Sequence, residues 1–175
     1  KQVKADLEKM PCVHRVSLRR AWPDLLRIYI EEQVPVVKWQ GDKLINQYGQ
    51  VFVPLADSLP ETGLPEIDGV TGRELVLLEQ YIHYSKMLAP IEVSITSIQE
   101  DPRHDQHLFL DNGMEVVLGR DERDERLHRF VNIYQSTLAT VANKISFLDL
   151  RYSNGFSVRW HEQQVDNLKQ ENGHV

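Results

Sequence analysis

Lys144-Ile-Ser-Phe-Leu-Asp-Leu-Arg-Tyr-Ser-Asn-Gly-Phe-Ser-Val-Arg-Trp160 is the stretch from which the architecture is read. Ser146, Leu148, Leu150 and Tyr152 alternate with Phe147, Asp149 and Arg151, the period of a strand. Asn154-Gly155 supplies the two positive-φ residues that a type I′ turn needs. Beyond the turn, Phe156, Val158 and Trp160 share one face, and Gly155, Ser157 and Arg159 the other. The reading is two strands joined by a tight turn. From His161 to Val175 the chain is mostly Gln, Asn, Asp, Glu and Lys, the composition of a disordered tail. The second strand is then the last regular element, and an open sheet edge is expected there. Such an edge is either blunted or used to pair with another chain.

Moving outward, Leu127, Phe130, Val131, Tyr134, Leu138 and Val141 form an apolar stripe at helical spacing, predicting a helix over 121–143. The acids at 121–125 sit where the helix dipole favours negative charge. Before it, Asp111-Asn112-Gly113 separates two apolar runs, His107–Leu110 and Met114–Leu118, as a hairpin turn does. Ile91, Val93, Ile95 and Ile98 mark a further strand. Glu74–Leu88 is expected to be a helix with Leu75, Leu78, Ile82 and Leu88 near its apolar face, ended by Ala89-Pro90. Residues 54–72, with three Pro and three Gly, read as a loop-rich connection. Tyr48-Gly49 closes a hairpin between 43–47 and 50–53.

The N-terminal part has its own pattern. Lys1–Met10 is helix-forming and stops at Pro11. Val13–Arg20 alternates as a basic strand, Ala21-Trp22-Pro23-Asp24 turns, and Leu26, Ile28 and Ile30 predict a half-buried second strand. Helices mixed with hairpins imply an α+β fold with mainly antiparallel pairing. Residues 1–53 hold nine Lys/Arg against six Asp/Glu, and the remainder eleven against twenty, an unevenness that fits two modules.

Bulk properties narrow the function. The chain has 175 residues, 41% hydrophobic and 26% charged, with a net charge of −6, which disfavours nucleic acid as a partner. The single Cys12 excludes an intrachain disulfide and a cysteine-based zinc site. No apolar run approaches a membrane span. The chain starts at Lys1, without Met and inside a helical pattern, so upstream sequence is expected.

Chemistry-bearing patterns are sparse. Asp101, His104, Asp105 and His107 hold two His and two Asp within seven residues, but Pro102 favours a loop and the odd spacing puts the histidines on opposite faces of a strand. The acids at 121–125 need no catalytic explanation beyond the helix dipole. No G-x-G-x-x-G, P-loop or G-x-S-x-G frame occurs. Neither a catalytic residue nor a cofactor is expected. Trp22 and Trp160 are each open to two readings, a packed aromatic or an exposed binding anchor.

Three segments carry a family resemblance. They are Pro11-Cys-Val-His-Arg-Val-Ser-Leu-Arg-Arg-Ala-Trp-Pro-Asp24 with its continuation to Pro35 and Trp39, Leu110-Asp-Asn-Gly-Met-Glu-Val-Val-Leu-Gly-Arg120 with Arg129-Phe-Val131, and Ile145–Tyr152 with Gly155–Trp160. Together they resemble the FtsQ/DivIB family of bitopic bacterial division proteins over about 1–160. The resemblance implies a partial POTRA domain (helix plus β-hairpin) at 1–36. A larger mainly antiparallel β domain with two helices follows at 37–160, and a tail at 161–175. It also implies a periplasmic location, an upstream inner-membrane helix, no enzymatic activity, and binding of the FtsB–FtsL pair. Other division proteins would meet the POTRA domain and the membrane segment. Carried over by position, the partner strand meets Arg151, Tyr152, Asn154, Gly155, Phe156, Ser157 and Trp160, and a partner helix meets Arg103, with Arg151 as a second cation. The chain departs from the family in opening at the second POTRA helix, and in carrying Asn154 and Phe156 where small residues are common. Outside this family, the patterns admit a POTRA-bearing outer-membrane assembly component or a small metal-dependent hydrolase centred on 101–107.

Overall fold

The computed structural model describes residues 2–54, 63–153 and 155–161. A short helix α1 (Gln2–Leu7) precedes an antiparallel hairpin of β1 (Val13–Ala21) and β2 (Leu25–Glu32). The Val16 amide donates to Glu8 just beyond α1, at 3.1 Å, tying the helix end to the hairpin.

The rest of the chain builds one nine-stranded sheet. Its strands are β3 (Pro35–Trp39), β4 (Lys43–Asn46), β5 (Val51–Phe52), β6 (Glu66–Asp68), β7 (Ile95–Glu100), β8 (Gln106–Leu110), β9 (Glu115–Gly119), β10 (Ile145–Asp149) and β11 (Ser157–Trp160), in the spatial order β11-β10-β9-β8-β7-β6-β3-β4-β5. Five neighbouring pairs are antiparallel, and β3–β6, β6–β7 and β9–β10 are parallel. Two of the parallel pairs join strands linked by a crossover. Both crossovers are helical: α2 (Glu74–Leu88) joins β6 to β7, and α3 (Arg123–Ser136) joins β9 to β10. Antiparallel neighbours need only short turns. α2 and α3 pack together on the sheet, and Trp39, Leu77, Tyr84, Leu108, Met114 and Phe130 are enclosed between the layers. The α+β expectation, with a hairpin unit before a larger mainly antiparallel sheet, is met.

Several local expectations need correction. β2 is exposed along its whole length, with Leu26, Ile28 and Ile30 at 52%, 44% and 50% exposure. It has β1 as its one strand neighbour and no layer over its apolar face among the described residues. Trp22 is 91% exposed, so it does not close the hairpin by packing. The buried face of α2 runs through Leu77, Leu78, Tyr84 and Leu88, while Leu75 and Ile82 face water. α3 ends at Ser136, and its stripe continues through two 3-10 turns, Leu138–Thr140 and Ala142–Lys144, which still bury Leu138 and Ala142. Ile91 belongs to a 3-10 turn, and β7 starts only at Ile95. The connection 54–72 contains the short strand β6, central in the sheet. The tail beyond His161 lies outside the described residues.

The hairpin and the sheet meet through polar contacts. The Gln33 amide donates to the Cys12 carbonyl at 2.8 Å, and buried Asn46 donates to the Gln33 side chain at 2.7 Å. Tyr48, in the β4–β5 turn, stacks on His14 with ring centroids 4.5 Å apart and donates to Glu31 at 3.1 Å.

Candidate binding edge and the loops that enter it

Strand directions gather three connections at one end of the sheet. β7, β9 and β10 finish there, and β8 and β11 begin there. The turn at 101–105, the link at 120–122 and the connection at 150–156 therefore lie side by side. Gly119 shows how closely they pack: a Cβ on it would stand 2.8 Å from Arg126 Nη1 and 2.9 Å from Arg151 Cγ.

The two-residue turn expected at 154–155 includes Asn154, which lies outside the described residues. Asp149 pairs with Ser157, so the connection runs from 150 to 156. Leu150, by its burial, closes the core end of this connection, and Tyr152 is 58% exposed. Tyr152, Ser153, Gly155, Phe156 and Ser157 line a surface groove of about 440 Å³. Phe156 and Val158 pack on the core from the groove and from β11, while Trp160 at the far end of β11 is 53% exposed. β11 is the terminal strand of the sheet, with no strand beside its outer edge among the described residues. Its outer backbone N–H and C=O groups are therefore free to bind another strand.

The 101–105 turn is built tightly. Asp101 Oδ1 accepts from the amides of Arg103 and Asp105 at 2.8 and 2.9 Å, and His104 takes a left-handed conformation with φ of 66°. Beneath it, Glu100 has no exposed side-chain surface. It accepts from Arg73 Nε at 2.6 Å and Nη2 at 3.2 Å, from Gln106 at 2.8 Å, and contacts His104 Nδ1 at 3.2 Å. Burial pushes the Glu100 carboxyl up, but the donors from Arg73, Gln106 and His104 outweigh it and hold it below the usual carboxylate range. Burial pushes the Tyr84 phenol up to about 12, so it stays a neutral donor to Gln106, at 3.1 Å. This arrangement leaves Arg103 exposed and without an ion pair among the described residues.

The expected site residues thus separate into groups. Tyr152, Gly155, Phe156 and Ser157 share one groove, and Trp160 stands at the opposite end of the same strand. Arg103 lies at the β7–β8 turn, three strand spacings from β11, or about 14 Å. Arg151 is already bound: Asp149 accepts its Nη2 at 2.7 Å and its Nε at 3.0 Å. His104 and His107 face different carboxylates, Glu100 and Glu115, the latter at 2.7 Å. Sequence reading missed Glu100; its signal was an acid at the same strand parity as buried Ile98. The site offers a backbone edge, a shallow aromatic groove and, in Arg103, an exposed cation without an ion pair among the described residues.

Comparison with known proteins agrees with this architecture. The family model described as Cell division protein FtsQ/DivIB, C-terminal, matches residues 36–151, and the FtsQ-type POTRA domain model matches residues 1–33. Relatives named Cell division protein FtsQ include those of Coxiella burnetii (34% identical, over 88% of this chain and 63% of the relative), Thioalkalivibrio sp. (36%, over 94% and 68%) and Cellvibrio japonicus (38%, over 92% and 50%). The chain spans about half to two thirds of the length of these relatives. It belongs to the FtsQ/DivIB family of cell division proteins.

Proposed function

We propose that this chain is the periplasmic part of a non-enzymatic scaffold of the bacterial division machinery. Its β11 edge accepts a strand from the FtsB–FtsL pair, and so links early and late division proteins. An upstream inner-membrane helix anchors it, and the N-terminal hairpin unit meets other division proteins. The observation that carries the reading is a terminal strand with a free backbone edge, bracketed by exposed Tyr152 and Trp160. Strand addition draws affinity from main-chain hydrogen bonds and specificity from flanking pockets and charges. The aromatic groove supplies the pocket and Arg103 the charge.

The test is titration of the chain with a synthetic peptide of the FtsB periplasmic segment. Trp160→Glu is the cleaner substitution, because Trp160 is half exposed; Phe156→Lys also removes core packing. The expected result is at least a 100-fold loss of affinity with circular dichroism and melting temperature unchanged for Trp160→Glu. Unchanged affinity overturns the strand-addition reading.

A further inference from the structure

α3 carries Arg123, Arg126 and Arg129 at three-residue spacing, along one side of the helix. All three donate to main-chain carbonyls at the sheet end that bears the binding edge. Arg123 Nη2 reaches His104 O at 2.7 Å and its Nε reaches Gly119 O at 3.1 Å. Arg126 Nη1 reaches Leu118 O at 2.6 Å. Arg129 gathers three acceptors: Nη2 donates to Leu150 O at 2.6 Å and Tyr152 O at 2.9 Å, and Nη1 donates to Ser153 O at 2.9 Å.

Arg129 differs from its neighbours. Arg123 and Arg126 have distant carboxylates at 3.9 and 4.0 Å, whereas Arg129 has no ion pair among the described residues. Its Nε is buried without a partner. The guanidinium is half-buried, with Nε enclosed and the Nη atoms bonded to carbonyls at its rim, and a charged donor bonded to several carbonyls holds their geometry more firmly than a neutral one. The three carbonyls belong to a connection longer than a tight turn, whose first residues Asp149 fixes by accepting from the Arg151 amide, while the carbonyls of 150, 152 and 153 are gathered by Arg129. The guanidinium fork supplies that shape from outside.

We infer that Arg129 is the positioning residue of the binding edge: it holds 150–153 in the form that presents Tyr152 and leads the chain into β11. Arg123 does the same for the turn bearing Arg103, so one helix sets both halves of the site. This inference rests on the partner reading given above and adds to it the residue that pre-forms the edge. Pre-formed loops bind more tightly because less ordering remains to be done on association.

The experiment uses the whole chain with Arg129→Lys, which keeps the charge and loses the planar fork. Amide hydrogen exchange and the kinetics of FtsB-peptide binding are measured together. Exchange across 151–157 is expected to accelerate at least 10-fold while β8 and β9 keep their protection. Peptide affinity is expected to fall about 10-fold, mostly through slower association. Val131→Ala, on the same helix, serves as control: it lowers the melting temperature and leaves loop exchange and affinity unchanged. Native loop exchange in Arg129→Lys, or fast loop exchange with unchanged affinity, overturns the inference. In the unsubstituted protein, hindered rotation should give separately resolved Arg129 Nη protons by NMR; one averaged signal also overturns it. If the unsubstituted protein fails to bind the peptide, the partner reading falls, while the exchange and guanidinium measurements still decide the positioning.

Discussion

Arg151 and Asp149 form a bidentate pair two residues apart, with Nε to Oδ1 at 3.0 Å and Nη2 to Oδ2 at 2.7 Å, and the Arg151 amide also donates to Oδ1 at 3.0 Å. Two cations near the edge are therefore not equivalent. The fork of Arg151 is engaged by its own chain, whereas Arg103 has no such partner among the described residues.

In the proposed complex, a carboxylate of the partner helix has Arg103 as its free cation at the β7–β8 turn. Arg103→Glu is expected to weaken FtsB-peptide binding by about 10-fold, the scale of about 1.4 kcal/mol. It should also flatten the dependence on salt, because an exposed ion pair is screened. Arg151→Gln should change the salt slope less. Isothermal titration at two salt concentrations checks both, and a salt slope unaltered in Arg103→Glu removes Arg103 from the interface.

Acid should loosen the same region. Burial pushes both Asp149 and Glu100 up, but hydrogen bonds from Arg151 to the former, and from Arg73 with Gln106 and His104 to the latter, hold both below their ordinary values. A depressed folded value means the stabilisation is complete above the unfolded pKa of about 4 and is lost as pH falls through the folded value. The melting temperature is expected to be level from about pH 7 to 5 and to drop below about pH 4. Glu100→Gln should be less stable at pH 7 by about 3 kcal/mol, since it leaves the Arg73 charge uncompensated. Its acid decline should be shallower than that of the unsubstituted protein. Parallel acid profiles would show that Glu100 does not carry the effect.

Periodicity made the strands and helices of the sheet domain readable where alternation or a stripe ran long enough, as in α2, β8, β9 and α3. It failed where tertiary placement decided. β6 is three residues between Pro65 and Gly69, too short to show a period, and it is held by its neighbours β3 and β7. Leu26, Ile28 and Ile30 alternate as a buried face does, yet they lie in a two-stranded sheet with nothing described above them. At the edge, the aromatic and basic residues were named from the resemblance alone, and the predictions above test them. Glu100 was not named, and Arg129 was named only as part of a matching segment, because their contacts are to carbonyls and donors distant in sequence.

The exposure of β2 makes a contrast within one hairpin. Ile28 is 44% exposed, and Val16 on the facing strand is 1% exposed. Ile28→Thr should change stability by no more than about 0.5 kcal/mol, as surface substitutions do. Val16→Ala should cost about 1–3 kcal/mol, the cost of deleting buried methyls. Urea unfolding of the two variants decides it; an equal cost would mean that Ile28 is covered in solution.

Gly49, in the β4–β5 turn beside Tyr48, lies against α2. It takes φ of +76°, and a Cβ on it would lie 2.5 Å from Leu75 Cδ1, 3.0 Å from Leu75 Cβ and 3.2 Å from Leu75 Cα. Gly49→Ala meets two separate penalties: a left-handed backbone worth about 1–2 kcal/mol, and a collision with a helix. The expected total is about 2–3 kcal/mol, within the range for overpacking. Leu75→Ala alone should cost little, because Leu75 is 49% exposed. Combined with Gly49→Ala it removes the Cδ1 collision but leaves those with Cβ and Cα, so recovery should be partial. A double-mutant cycle by chemical denaturation should therefore give a favourable coupling of about 1 kcal/mol. Zero coupling would mean that the turn moves away from α2, and that Tyr48 leaves its stack on His14 with it.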